Sequence, residues 1–279
     1  MTDVPDPKRM DVLLPRARRE SRLTVGSILA FAAIVIAIVG IAGVARSQIL
    51  GAGPESWISV LWKWSPLLLG GFAFNIAISI VAMTIGTILG AGLGIGLLSE
   101  VTAIRKTSWC VMQIFRNSPW LVLLFFAMFL VPFQIKIGDF IIPLPGWIKA
   151  CVGFSLPVMA NVAEIVRGAV KSLPGTQWEA AESLAFTRRQ TMWMIILPQC
   201  FRRMLPPWMN LYSLITMATV LASVVGVSEM LTLTSDVHAA EGGRPELFAP
   251  LYGFALVCFF VYCYPIGRLT IYLERRLHV

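Results

Sequence analysis

Six long apolar runs dominate this chain, at approximately 24–45, 66–98, 119–135, 147–166, 207–233 and 248–267. A hydrocarbon layer about 30 Å thick is crossed by roughly 20 helical residues, so each run is expected to be a transmembrane helix. The second run is long for a single crossing and must tilt, bend or protrude. The third is near the short limit and contains Pro132. Composition excludes a soluble domain: 57% of residues are hydrophobic, 14% are charged, and the mean hydropathy is +0.76. The expected fold is an all-α polytopic membrane protein of about six transmembrane helices.

The basic residues give a sidedness. Alternate connecting segments are the N-terminal tail, the 99–118 loop, the central loop and the C-terminal tail, and they carry six, three, six and three Lys or Arg. The other connections hold only Arg46, Lys63, Lys136, Lys149 and Arg244. Because cytoplasmic loops carry the excess, both termini and the central loop are expected in the cytoplasm. The net charge of +8 is then sidedness plus attraction to anionic membrane lipid, which argues against a nucleic-acid partner. Residues 1–23 read as a cytoplasmic basic tail and 24–46 as an N-terminal transmembrane helix. Its apolar core of some 20 residues exceeds that of a secretory signal.

Several features look like chemistry and are read as packing. The five cysteines (Cys110, Cys151, Cys200, Cys258 and Cys263) lack metal-ligand spacing or a paired framework, and no metal site is expected. The Gly-rich run 86–96 has no preceding strand, while Gly86, Gly90 and Gly94 recur every four residues. They share one helix face and invite the close approach of a second helix. No segment matches the phosphate-cradling G-x-x-x-x-G-K-[ST] loop. If transport here runs on ATP, another chain supplies it.

The central loop, 171–205, carries the densest local signals. Pro174-Gly175 ends one helix, and Thr176-x-x-Glu179 is a capping-box pattern opening another. Thr187-x-x-Gln190 repeats the pattern. The expectation is a short helix over 177–184, a turn at Ala185-Phe186, and a second helix from 188 that stops near Leu197-Pro198. Trp178, Ala181 and Leu184 make a narrow apolar face, with Glu179 and Glu182 as an acidic edge. Such an edge suits a partner's basic-rimmed groove; alternatively, Glu179 caps its helix and Trp178 lies in the membrane interface. Arg188 and Arg189 sit at a helix start, where cations oppose the macrodipole, so lipid headgroups or acidic residues of a partner are expected to offset them. A DNA-reading helix-turn-helix ranks far below docking, because membrane helices on both sides leave no free recognition helix.

Inside the apolar runs, Ser213, Thr216, Thr219 and Ser223 form a polar stripe on one helix. They either line a path or bond to the preceding turn and across helices. Asn75 and Asn161 lie deep in their runs, where an amide requires partners. Each is a candidate for the substrate path, with an interhelical bond as the alternative. Glu164 and Arg167, at i and i+3, read as an ion pair.

The run EAAESLAFTRRQTMWMIILPQ, 179–199, resembles the cytoplasmic "EAA" loop of ATP-binding-cassette (ABC) importer permeases. FRNSPWLVLLFF (115–126), AEIVRGAVKSLPGTQWEAA (163–181), VVGVSE (224–229) and YLERRL (272–277) are similar to segments of the polar amino-acid permease branch, of histidine/glutamine type. The resemblance covers about 66–277. It implies a type I importer core of five helices preceded by the extra one at 24–46. It also implies a dimer with a second permease subunit, a cytoplasmic ABC ATPase dimer carrying ATP and Mg, and an extracytoplasmic substrate-binding protein. Glu179, Ala180, Ala181, Leu197 and Pro198 fall on the motif positions that dock the ATPase. Ala185 replaces the usual glycine, where a left-handed turn would be strained, so ordinary helical angles or a more continuous join are expected. Asn161 replaces a common tyrosine, and Met217-Ala218 a frequent Lys-Asp pair.

The function expected is a permease subunit, not itself an enzyme, that imports a polar amino acid or related small polar solute through the cell inner membrane. The alternative is a secondary transporter or channel, which requires deep ionisable residues or broken helices; no acid falls near the centre of a predicted span. An intramembrane enzyme lacks a nucleophile and base, with only His238 and His278 present.

Overall fold

The computed structural model describes residues 56–137 and 140–277. The tail at 1–23 and the helix expected at 24–46 lie outside the described residues. The first described helix, α1, runs Trp57–Leu97 over 41 residues, or about 60 Å at 1.5 Å per residue. It therefore projects beyond one bilayer crossing. It begins nine residues ahead of the expected boundary, with Ser56 as N-cap and with Lys63 and Pro66 inside its early turns. Lys63 is tolerated there because its ammonium reaches Glu241 at 3.0 Å.

The expected third crossing is too short to be one. A helix over Thr102–Asn117, α2, meets α3, Trp120–Leu130, at a 107° bend. Ser118 and Pro119 adopt extended angles there, as a proline imposes on its predecessor. After α3 a small hairpin pairs β1, Gln134–Ile137, with β2, Phe140–Pro143, placing Ile135 opposite Ile142. The helical class holds, with this hairpin added. Then α4 runs Gly146–Lys171, followed by α5, Thr176–Ser183. A continuous rod, α6, spans Arg188–Val225. Two further helices follow: α7, Met230–Ala240, and α8, Pro245–Leu277.

Among the described residues four helices are long and apolar enough to span, or five if the bent α2–α3 pair counts as one. The apolar run 207–233 merges two elements. Gly226, at φ 82°, ends α6 in the left-handed region, and the chain restarts as α7.

In its most apolar stretch α4 is 67% buried, against 28–33% for the other long helices, which makes it the central post. Its neighbour is α1, and the glycine stripe sets their separation. A Cβ on Gly86 would lie 2.4 Å from Val158, one on Gly90 2.6 Å from the Met159 carbonyl oxygen, and one on Gly94 2.7 Å from Val166. The two backbones thus touch where side chains are absent. Ile78, Ala82, Leu124, Ala150 and Phe154 close the core above this seam. Large apolar side chains such as Trp62, Ile88 and Phe129 face outward, which suits a lipid surround.

Candidate functional site: the central loop and the polar groups of the bundle

α5 is a two-turn helix held against the ends of α4 and α6. Its N-cap is Gly175, with no side-chain bond, so the capping box expected from Thr176 and Glu179 does not form. Glu179 N–H donates to the Gly175 carbonyl instead, which puts Thr176 inside the helix. The second box does form: Thr187 N–H donates to Gln190 Oε1 at 2.9 Å, and Gln190 N–H to Thr187 Oγ1.

Between them Ala185 has φ 57°, a left-handed conformation and neither of the two expected alternatives. The bonds Ala185 N–H to Glu182 O and Phe186 N–H to Ala181 O close the turn and enforce it. An alanine here pays about 1 kcal/mol that glycine would not. Ala185→Gly is therefore expected to raise the melting temperature slightly in a detergent thermal melt, while Ala185→Val lowers it.

The helix that starts at Arg188 does not stop at Pro198. A π turn over Thr191–Ile196 widens the rod just ahead of the proline, where the ring removes an N–H and crowds the carbonyl four residues back. The widened ladder absorbs both defects, and the helix continues into the membrane region.

The apolar face of α5 is also split. Ala181 is 2% exposed, and Trp178 packs on Ala169, Val170, Leu173, Ile196 and Cys200. Leu184 is 71% exposed. Trp178 therefore anchors α5 to α4 and α6, a third placement beside the two expected, a partner's groove and the membrane interface. The Arg188 guanidinium stacks 5.6 Å from its ring and pairs with Glu100 at 2.7 Å. The anion that offsets Arg188 is this chain's own, from the α1–α2 turn. Gln199 donates to Gln177 at 3.3 Å, a further tie from α6 to α5. What remains outward is an acidic edge of Glu179 and Glu182, with Ala180, Leu184, Arg189 and Pro198 around it. Leu197 is half-buried.

The polar residues of the bundle are largely self-satisfied. Asn75 is fully buried; its amide donates to Thr219 Oγ1 (2.9 Å) and Glu229 Oε2 (2.8 Å) and accepts from Met230 N–H (3.0 Å). It is a three-way interhelical brace. Asn161 donates to the carbonyl of Pro157 on its own helix. In the hydroxyl stripe, Thr216, Thr219 and Ser223 bond back to the preceding turn. Ser213 alone has no hydrogen-bond partner among the described residues, although it is buried. Glu164 and Arg167 pair at 2.7 Å as expected, and Arg116 joins them at 3.6 Å.

Two buried ionisable side chains lie outside the residues singled out from the sequence. Glu229, fully buried, is the N-cap of α7 and accepts from Thr232 N–H. It was hidden inside an apolar run that is really a helix boundary, and Gly226 three residues earlier was the available signal. Glu229→Ala should strip the acceptor from the buried Asn75 amide and the half-buried Thr232 N–H, at about 1–3 kcal/mol for a buried donor. The expected result is a clearly lower melting temperature, with Glu229→Gln intermediate. Lys149 is also fully buried, near the start of α4. Its ammonium lies 3.2 Å from the centre of the Phe133 ring and 3.4 Å from the Met128 carbonyl. The carbonyl end of α3 thus supplies its counter-charge.

At the end of the bundle opposite α5, Glu241 accepts from Trp64 Nε1 (2.8 Å) and Lys63 (3.0 Å), with Arg244 at 3.4 Å. The indole hydrogen bond first, then the lysine, holds its carboxyl below the usual range. A depressed carboxylate stabilises above the unfolded pKa, and that stability is lost as pH falls through the folded value. This clamp between α1 and the α7–α8 turn should therefore weaken only below about pH 4–5. Glu241→Gln should flatten melting temperature against pH in that acid window and leave its shape near pH 7 unchanged.

A helical bundle with outward apolar surface, a broken span and an amphipathic loop helix braced across two spanning helices defines a membrane transport subunit. The chain belongs to the family described as binding-protein-dependent transport system inner membrane component, whose model matches residues 86–279. It is the permease subunit of an ABC importer, a multi-pass inner-membrane protein.

Among its relatives is the probable amino-acid ABC transporter permease protein YckA of Bacillus subtilis (strain 168). That protein is 33% identical over 198 residues, covering 71% of this chain and 83% of the relative. The L-cystine transport system permease protein TcyB of the same organism is 29% identical, covering 79% and 91%. A solved structure of an amino acid ABC transporter with histidines matches with TM-score 0.67 at 21% identity, covering 80% of this chain and all of that one. The MetNI methionine ABC transporter matches with TM-score 0.60 at 16% identity, covering 77% and 98%. At these identities the two structures speak to the fold.

Proposed function

We propose that this chain imports a polar amino acid or related small polar solute and that α5 is its docking helix for a cytoplasmic ABC ATPase dimer. ATP and Mg belong to that ATPase. A second permease subunit, identical or paralogous, completes the path, and an extracytoplasmic binding protein delivers the solute. Both termini lie in the cytoplasm on this reading, as the basic-residue asymmetry supports.

The observation that carries the docking assignment is the build of α5. Its inner side, Trp178 and Ala181, is packed onto α4 and α6, while its outer edge presents Glu179 and Glu182 to solvent. A force on that edge reaches two spanning helices directly. The names of the relatives support the amino-acid class.

The test is reconstitution in vesicles with the ATPase and binding protein. Uptake should require internal or external ATP on the ATPase side. Uptake that ignores ATP and collapses with an uncoupler would establish a secondary transporter instead. Restoration of transport by this permease as the sole membrane subunit would assign a homodimer.

A further inference from the structure

Beside the end of α1, between α2 and α4, an open cleft of about 420 Å³ is lined by Arg105, Lys106, Arg116, Arg167 and Lys171. Its single acid, Glu164, is already engaged by Arg167 and Arg116. Among the described residues none of Arg105, Lys106 and Lys171 makes an ion pair within 4 Å, Lys171 acting on Glu164 only at longer range; Arg105 makes a 3.4 Å bond to the Ser99 carbonyl. The nearby Glu100 is paired with Arg188.

A second, independent feature deepens the charge imbalance. Arg105 and Lys106 sit near the start of α2, whose N-cap, Val101, provides no side-chain bond. Cations there oppose the helix dipole, and the uncapped N–H groups add to the positive potential. The cleft thus carries an excess of positive charge. Its floor is apolar, formed by buried Leu97 and Met112, and Trp109 stands at the mouth, 55% exposed.

We propose that this cleft binds the phosphate of an anionic phospholipid, with Lys106 and Lys171 as its principal charge contacts. A phosphate diester offers one negative charge and several acceptor oxygens to Arg and Lys donors. A free phosphate has no use for the apolar floor, whereas a lipid brings a glycerol backbone and chains to it. The level is also right: α1 ends and α2 begins here, and an exposed indole beside clustered cations is the signature of the headgroup region. This inference does not depend on which solute the permease carries.

The experiment uses the full-length chain in neutral detergent, with phosphatidylglycerol or phosphatidylcholine added and bound lipid counted by native mass spectrometry. Phosphatidylglycerol should be retained on the order of tenfold better than phosphatidylcholine, given the worth of each basic residue near an anionic headgroup. Lys106→Ala with Lys171→Ala should abolish that preference. The Lys→Arg pair at the same positions should keep it, and Arg275→Ala with Arg276→Ala, in the exposed tail, should leave it intact. Equal retention by wild type and the double alanine variant would overturn the proposal. So would displacement of the lipid by millimolar inorganic phosphate, which would make the cleft a free-phosphate site. Both lysines are exposed, and a thermal melt of the lipid-free variant confirms folding.

Discussion

Glu179→Lys is expected to abolish solute-stimulated ATP hydrolysis in the reconstituted importer while leaving the permease folded. The carboxylate stands on the exposed edge of α5, in its first turn. Charge reversal there has two separable effects. On the helix itself, loss of a favourable dipole interaction costs about 0.3–1 kcal/mol, too little to unfold a helix anchored by Trp178 and Ala181. Across a docked interface, an unpaired or repelled charge costs about 2–5 kcal/mol, which is a factor of roughly 30 or more in coupling. Glu179→Gln should therefore fall between wild type and the lysine variant in stimulated activity, with a melting temperature close to wild type. Stimulation unchanged in an assembled Glu179→Lys complex would remove α5 as the docking element.

The second large effect lies in the α1–α4 seam. Gly90→Leu should prevent accumulation of folded protein or lower its melting temperature more than any other single change considered. Its Cβ would meet the backbone oxygen of Met159 at 2.6 Å and the Cβ of Val162 at 2.7 Å. Neither atom is the end of a flexible side chain, so the helices must part. Overpacking in a close-packed interior costs about 1–3 kcal/mol even where side chains can yield, and here the penalty should exceed ~3 kcal/mol. Gly92 provides the internal control: two residues away on the same helix, a Cβ there meets nothing within 4 Å. Gly92→Leu should be tolerated, and size-exclusion profiles with thermal melts of the two variants separate seam packing from a general intolerance of glycine replacement.

The glycine seam was legible because its signal is strictly local: three glycines at a spacing of four declare a face whatever lies opposite. The same holds for the Thr187–Gln190 box, which needs only its own four residues, and for α4, whose extent follows from its apolar pattern. The failures share a different origin. Pro198 reads as a helix stop until the π turn ahead of it is known, and Trp178 reads as outward until α4 and α6 are seen to leave a recess beneath it. Glu229 vanished into an apolar run because its buried partner, Asn75, comes from a distant segment. The short α3 could not be told from a crossing by apolarity, since only the bend at Ser118-Pro119 turns it aside.

The π turn at 191–196 has one more consequence, for the phasing of the rod rather than its continuity. A π turn holds about one residue more than the α-helical turn it replaces, and one residue is worth 100° of rotation about the axis. Everything in α6 beyond Ile196, including Ser213 and the rest of the hydroxyl stripe, is therefore dialled round relative to the Arg188 end that grips Trp178 and Glu100. The winding of this one turn therefore sets which way the stripe faces about the α6 axis for a given placement of the loop end.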